Sequence, residues 1–172
     1  MQFSEAEVIV EFGPGGGVIT RGILSRMRQD ATLIAIEQNA RFAKALEETI
    51  EDPRLRVFND SAENVLDILA RCNKSSARHV ISGIPFSMFP NELKDRILAA
   101  TKQALSAQGT FLVYQFFSNP FGHGDDIRKK LDEHMDIKAE EAEFLNIPPL
   151  RIFTAARKFS PATANGPLRT GT

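Results

Sequence analysis

Cysteine is almost missing from this chain. Its 172 residues include one, Cys72, so no internal disulfide can form and nothing points to a cysteine-based metal site. A reducing cytoplasm suits such a composition. Cys72 falls at an expected helix end and reads as a small, half-buried residue. Charge of one sign is missing too. Lys and Arg number 21 against 22 Asp and Glu, a formal net charge of -1, without the basic footprint that general nucleic-acid binders carry. No apolar stretch approaches the ~18 residues that span a bilayer, and no secretory signal pattern is visible. There are no internal repeats. What remains, 42% apolar and 25% charged residues, is the composition of an ordinary globular domain, and the length suffices for a proper core.

The richest stretch is Val8-Ile9-Val10-Glu11-Phe12-Gly13-Pro14-Gly15-Gly16-Gly17-Val18-Ile19-Thr20. A β-branched run ends at an acid, a glycine-rich bend follows, and a helical pattern begins. This is strand, ligand loop and helix, the unit that opens a doubly wound α/β sheet. Glycines at 13, 15 and 17 let the backbone turn sharply and approach a ligand closely. A dinucleotide fingerprint would need glycine at position 18, which is Val18, so a dehydrogenase is a poor match.

The rest alternates. A helix is expected over about 17–29, a strand over 32–36 closing at Glu37, and a helix over about 39–51 with Ala40, Ala43, Leu46 and Ile50 on one face. Asp52-Pro53 stops that helix. Strand three is 55–58, and Asn59-Asp60-Ser61 offers a cap to a helix at about 62–72. Strand four starts at His79 and ends at Ser82. Pro90 suits the first turn of a helix over about 90–105. Strand five spans 110–117, a loop 119–124 leads to a helix from Asp125 to about His134, and two late strands, about 137–146 and 150–158, flank Pro148-Pro149. Alternating strands and helices require a mostly parallel sheet with helices on both faces, a three-layer α/β/α domain over 1–159. The late pair implies an antiparallel hairpin. Residues 160–172, rich in Pro, Thr, Gly and Ala, read as a flexible tail.

Ligands of such sheets bind at the carboxyl ends of the strands. Glu37 stands there, roughly 20 residues after the glycine turn, where a carboxylate offers two acceptors to two ribose hydroxyls. Asp60 and Ser61 stand after strand three, where either serves a ligand or a helix cap.

The acid-x-Gly-x-Gly-x-Gly turn resembles the first motif of class I S-adenosylmethionine (SAM) methyltransferases. That resemblance implies the Rossmann-like, seven-stranded methyltransferase fold with an antiparallel last strand. It also implies S-adenosyl-L-methionine as cofactor, S-adenosyl-L-homocysteine as its product, and no metal. The implied cofactor contacts are Glu11 at the methionine end, Gly13, Pro14, Gly15 and Gly17 in the loop, Glu37 on the ribose, and Gln38, Asp60, Ser61 and Ala62 around the adenine, with Ser82 beside them. Relatives usually carry Thr where this chain has Gly16.

Ser82-Gly83-Ile84-Pro85-Phe86 resembles the Asn-Ile/Pro-Pro-Tyr/Phe motif of amine-directed methyltransferases, ribosomal RNA adenine dimethyltransferases included. The leading Asn is replaced by Ser82 or Gly83, according to register, which weakens a grip on a flipped base. Residues 81–87, 110–116 and 144–151 together resemble the bacterial phospholipid N-methyltransferases, and the resemblance spans 8 to about 158. It implies methylation of phosphatidylethanolamine toward phosphatidylcholine by an enzyme peripheral to the inner face of the cytoplasmic membrane. Tyr114, the only tyrosine, with Phe86 and Pro85 would flank the reacting amine; Gly83, Ile84, Phe89 and Arg151 would bind the acceptor, Arg151 through a lipid phosphate. Phe116 and Phe121 fall near this site, since aromatic faces attract cations; Phe111 and Phe117 read as core. His79, His123 and His134 read as surface histidines, and Arg128-Lys129-Lys130 as a solvated helix face. Full-length relatives carry a leading amphipathic segment, which is expected to be absent here. The alternatives are an RNA adenine N-methyltransferase and a SAM-binding module without turnover.

Overall fold

A computed structural model describes residues 2–116, 126–143 and 150–158. The expected loop 119–124, Phe117, Phe121, His123, the 144–149 wording and the tail from 160 lie outside the described residues.

The strands are β1 (Val8–Phe12), β2 (Thr32–Ile36), β3 (Leu55–Phe58), β4 (Ala77–Ser82), β5 (Leu105–Phe116), β6 (Met135–Glu143) and β7 (Leu150–Arg157). The helices are α1 (Val18–Leu24), α2 (Ala40–Thr49), α3 (Val65–Arg71), α4 (Asn91–Ala104) and α5 (Asp126–His134). They build one seven-stranded sheet in the order β3-β2-β1-β4-β5-β7-β6. The first five strands run parallel, and β7 lies antiparallel between β5 and β6. This is the Rossmann-like seven-stranded fold that the sequence implied.

Alternation along the central strands sorts the core into two halves. Val8, Val10 and Phe12 face one side with Ile34, Ile36 and Val80, and there meet Val65, Ile68 and Leu69 of α3, Ile97 and Leu98 of α4, and Ile127 and Leu131 of α5. Ile9, Leu33, Ala35 and Ile81 face the other, with Ile23 and Leu24 of α1 and Leu46 of α2. All five residues of β1 are buried, as a parallel strand covered on both faces must be. Phe111 is core, as expected, with no exposed surface. Cys72 is half-buried.

Several boundaries differ from the sequence expectation for identifiable reasons. Helix α1 ends at Leu24, where Arg54 satisfies carbonyls left open: the guanidinium donates to Leu24 O at 2.9 Å and, in the turn beyond the helix, to Met27 O at 3.1 Å, as helix ends require. Asp52 holds that guanidinium at 2.6 Å. The chain passes straight from α4 into β5, since Leu105 pairs with Ala77 before the register shifts and His79 pairs with Thr110. The expected α3 opens as a 3-10 turn, Ala62–Asn64, without a side-chain cap.

His79 is corrected from surface to core. Strand β4 begins at Ala77, so His79 lies inside the central sheet, 3% exposed, with the Phe3 ring edge-on at 5.9 Å. Neither ring nitrogen has a hydrogen-bond partner. Burial pushes its pKa down to about 4, and the Arg78 charge adds to the same direction.

Candidate active site

The carboxyl ends of β1, β2, β3 and β4 surround a cleft of about 420 Å³. Its floor is the glycine turn. Gly13, Gly15 and Gly17 all adopt left-handed φ, at 67°, 52° and 77°, a conformation that residues with a Cβ rarely hold. Gly13 donates to Ile36 O at 2.9 Å and Gly17 to Pro14 O at 2.9 Å. A Cβ on Gly13 would press on Ile84 at 2.7 Å, so the β1 and β4 loops meet here, whereas a Cβ on Gly15 would meet nothing within 4 Å. The turn therefore presents bare backbone to the cleft.

Glu37 closes β2 and reaches across this floor. Its Oε2 accepts from Gly15 N at 3.1 Å and its Oε1 from Asn39 N at 2.8 Å. Each carboxylate oxygen has two acceptor directions, so one remains at each oxygen for a ligand. Asn59, thought to help cap α3, does other work. Its amide donates to Glu37 O at 2.8 Å and Gln38 O at 3.0 Å, fixing the loop that carries Glu37. Asp60 Oδ1 accepts from Ser61 N and from Asn64 Nδ2, each at 2.7 Å, and the Asn64 bond, then the Ser61 bond, hold its carboxyl below the usual range.

Behind the floor lie Glu11 and Tyr114 on the α1 side of the sheet and Ser82, paired with Phe12, on the α4 side. Glu11 is 1% exposed. Its Oε2 accepts from Thr20 Oγ1 at 2.7 Å, and its Oε1 has no partner. Burial pushes its pKa up to about 7, with the Thr20 bond opposing and the Glu37 charge adding. Ser82 Oγ, fully buried, is also unpartnered. Tyr114 lies next to Gly83, and a Cβ there would overlap the Tyr114 hydroxyl. Tyr114 of β5 thus fills the space that a side chain at position 83 would take. Burial, then the Glu11 charge, pushes the Tyr114 pKa up to about 12.

These residues fit SAM. The cradle is bare backbone, the two carboxylates at the rim suit ribose hydroxyls and an adenine amine, and the buried Glu11 Oε1 and Ser82 Oγ await polar partners. The comparisons follow the same line. No protein-family model matches the chain. An ornithine lipid N-methyltransferase of Singulisphaera acidiphila is 32% identical over 127 residues, 69% of this chain and 66% of that protein. A ribosomal RNA small subunit methyltransferase A of Caulobacter vibrioides is 30% identical over 121 residues, 57% of this chain and 45% of that protein. The crystal structure of the Burkholderia thailandensis 1,6-didemethyltoxoflavin-N1-methyltransferase, with bound S-adenosylhomocysteine, superposes with a TM-score of 0.67 at 16% identity, over 90% of this chain and 72% of that one. The chain belongs to the class I SAM-dependent methyltransferases. It spans just under two thirds of the ornithine lipid relative and under half of the ribosomal RNA one.

The cleft gathers Gly13, Gly15, Glu37 and Gln38 with Asp60, Ser61 and Ala62 of the β3 loop. Gly83, Ile84, Pro85 and Phe89 form the β4 side. Pro14 and Gly17 are buried behind the turn. Phe86 does not line the cleft. The 3-10 turn Phe86–Met88 turns its ring inward, where it is fully buried and 6.3 Å edge-on from Phe89. Arg151 begins β7 opposite Gln115, away from the cleft wall, 3.6 Å from the Glu140 carboxylate and over the Phe153 ring. The cleft also uses Asn39, Phe42, Leu93 and Ile97, which the sequence reading missed. Asn39 carried a signal, as the cap two residues after Glu37: its Oδ1 accepts from Arg41 N at 3.0 Å. Among the described residues no group of three or more His, Cys, Asp or Glu is placed to hold a metal ion, and no described helix is long and apolar enough to cross a membrane.

Proposed function

We propose that the chain is a SAM-dependent N-methyltransferase whose acceptor is the amine of a membrane lipid, phosphatidylethanolamine and its mono- and dimethyl forms first. The observation that carries the reading is Glu37 bridging the bare glycine turn to a rim of ribose- and adenine-compatible groups, opposite a Gly83-Ile84-Pro85 wall. Bound SAM supplies a methyl group on a sulfonium, which the amine nitrogen takes as the carbon–sulfur bond breaks, leaving S-adenosyl-L-homocysteine.

The residues then divide the work. Glu37 takes the ribose hydroxyls, Asp60 the adenine amine, and Gln38, Ser61 and Ala62 the adenine edges. Gly13, Pro14, Gly15 and Gly17 shape the backbone around the methionine end. Glu11 faces its ammonium, a cation that would draw the Glu11 carboxyl toward its ionised form. Ser82 stands on the cofactor side, Gly83 and Ile84 hold the acceptor nitrogen, and Pro85 fixes their backbone. With its pKa raised to about 12, Tyr114 stays protonated at neutral pH and orients the amine by its hydroxyl. Phe86 acts from the core, backing Phe89 at the acceptor side. Arg151 is the residue for a lipid phosphate, in exchange for Glu140. Alignment of nitrogen, methyl and sulfur is the main catalytic demand of such a displacement. The enzyme would work peripherally, at the inner face of the cytoplasmic membrane.

The lipid N-methyltransferase relative supports this acceptor, as does the net charge of -1. The ribosomal RNA relative favours a second reading, methylation of an RNA adenine. Tritiated-methyl SAM separates them. With phosphatidylethanolamine vesicles, label in mono- and dimethylated lipid is expected. Label only in ribosomal RNA, falling steeply with salt, would favour the second reading. SAM binding with label in neither would reduce the chain to a cofactor-binding module.

A further inference from the structure

The exposed large apolar side chains among the described residues are Val18 (80% exposed), Ile19 (41%), Phe42 (49%) and Met88 (78%). A single exposed apolar residue is ordinary. Their common location is not. Val18 and Ile19 open α1 after β1, Phe42 lies in the first turn of α2 after β2, and Met88 lies in the 3-10 turn after β4. Strands β2, β1 and β4 are consecutive in the sheet, so their carboxyl ends lie within about 10 Å. Phe42 lines the cleft, and Val18, Ile19 and Met88 follow the carboxyl ends of β1 and β4, which border it. The opposite end of the sheet carries ion pairs, Lys74 with Glu7 and Arg28 with Asp30.

We propose that this rim is a membrane-contact surface, on which Val18, Ile19 and Met88 immerse in the apolar edge of a zwitterionic bilayer around the cleft mouth. The proposal rests on the lipid-amine reading above. It explains how an acceptor whose acyl chains stay in the bilayer presents its amine to the cleft without being extracted. The apolar groups come singly or in a pair from separate short segments rather than along one groove. Separate side chains immerse independently in a fluid phase, whereas a partner helix needs a continuous track. The polar surroundings carry both signs, as zwitterionic headgroups do. Arg41 is exposed in the first turn of α2 and Glu92 in the first turn of α4. Long basic side chains hold their charge at headgroup level while apolar neighbours go deeper.

Sedimentation with sucrose-loaded vesicles of phosphatidylethanolamine and phosphatidylcholine tests this, comparing the intact chain with Val18→Ser/Met88→Ser. Both sites are exposed and neither residue has a role in holding SAM, so calorimetric SAM affinity should be equal in the two proteins. The expected result is co-sedimentation of the intact chain and at least a tenfold rise in the lipid needed for half-binding by the variant. Equal vesicle binding by both proteins would overturn the proposal, as would an intact chain that stays in the supernatant. So would self-association through this rim without vesicle binding. Methyl transfer to short-chain phosphatidylethanolamine dissolved as monomers separates the two readings. Equal turnover of that acceptor by both proteins, with loss only on vesicles, supports both. Vesicle binding that the variant loses, with no turnover of either acceptor, keeps the contact surface and discards the lipid-amine acceptor.

Discussion

Glu11 carries a proton cost that a bound ligand can remove. Its carboxyl is nearly inaccessible and its folded pKa of about 7 stands above the ordinary 4.5 of a glutamate. The folded state therefore binds the proton more tightly than the unfolded chain. Below pH 4.5 both states hold it and stability is unaffected; as pH rises from 4.5 through 7 stability falls, by about 3 kcal/mol in all. Glu11→Gln keeps the Thr20 bond and removes the titration. Its melting temperature should exceed that of the parent at pH 8 and come close to it at pH 5; an equal difference at both pH values would contradict this assignment. Gly83 makes a second prediction at this scale. Because Tyr114 occupies the space of a residue-83 side chain, Gly83→Asn should displace the ring and cut methyl transfer at least tenfold. Gly83→Asn/Tyr114→Ala should recover fold stability, measured by denaturant unfolding, but not turnover. Glu37 and Asp60 were legible in the sequence because strand ends are marked by where β-branched runs stop. Phe86 was not, because one 3-10 turn decides whether its ring faces the cleft or the core.

Among the elements, the opening 3-10 turn Phe3–Glu5 and strand β4 meet at His79. A buried neutral imidazole with a folded pKa near 4 and an unfolded value of 6.5 costs stability on the acid side. The unfolded chain takes up the proton first, so stability is lost as pH falls from 6.5 toward 4, again by about 3 kcal/mol. His79→Leu should unfold later than the parent in urea at pH 4.5, and the gap should be far smaller at pH 7.5. A gap independent of pH would point to packing alone. Nothing in the sequence marked this histidine as core, because the strand was read as starting at it rather than before it. The end of α1 escaped for a related reason. Its last carbonyl is held by Arg54, thirty positions on, and no local pattern records that.

For the whole molecule, the alternation of strands and helices made the parallel sheet and its two covered faces legible, and the late strand pair made the antiparallel ending legible. The insertion of β7 between β5 and β6 followed from the family resemblance and not from residue patterns, since strand order is a property of long-range pairing. The cleft assembles from the ends of strands distant in sequence, and its carboxylates were readable where its apolar wall of Leu93 and Ile97 was not. Titration of SAM into the intact chain and into Glu37→Ala, followed by calorimetry with circular dichroism as the check on folding, bears most directly on the cleft as a SAM site. Losing charge-assisted bonds to two hydroxyls, each about 1.5–3 kcal/mol, should weaken binding about 100-fold or more in a variant that remains folded. An intact chain that gives no saturable binding, or a folded variant that binds SAM as tightly as the parent, would contradict it.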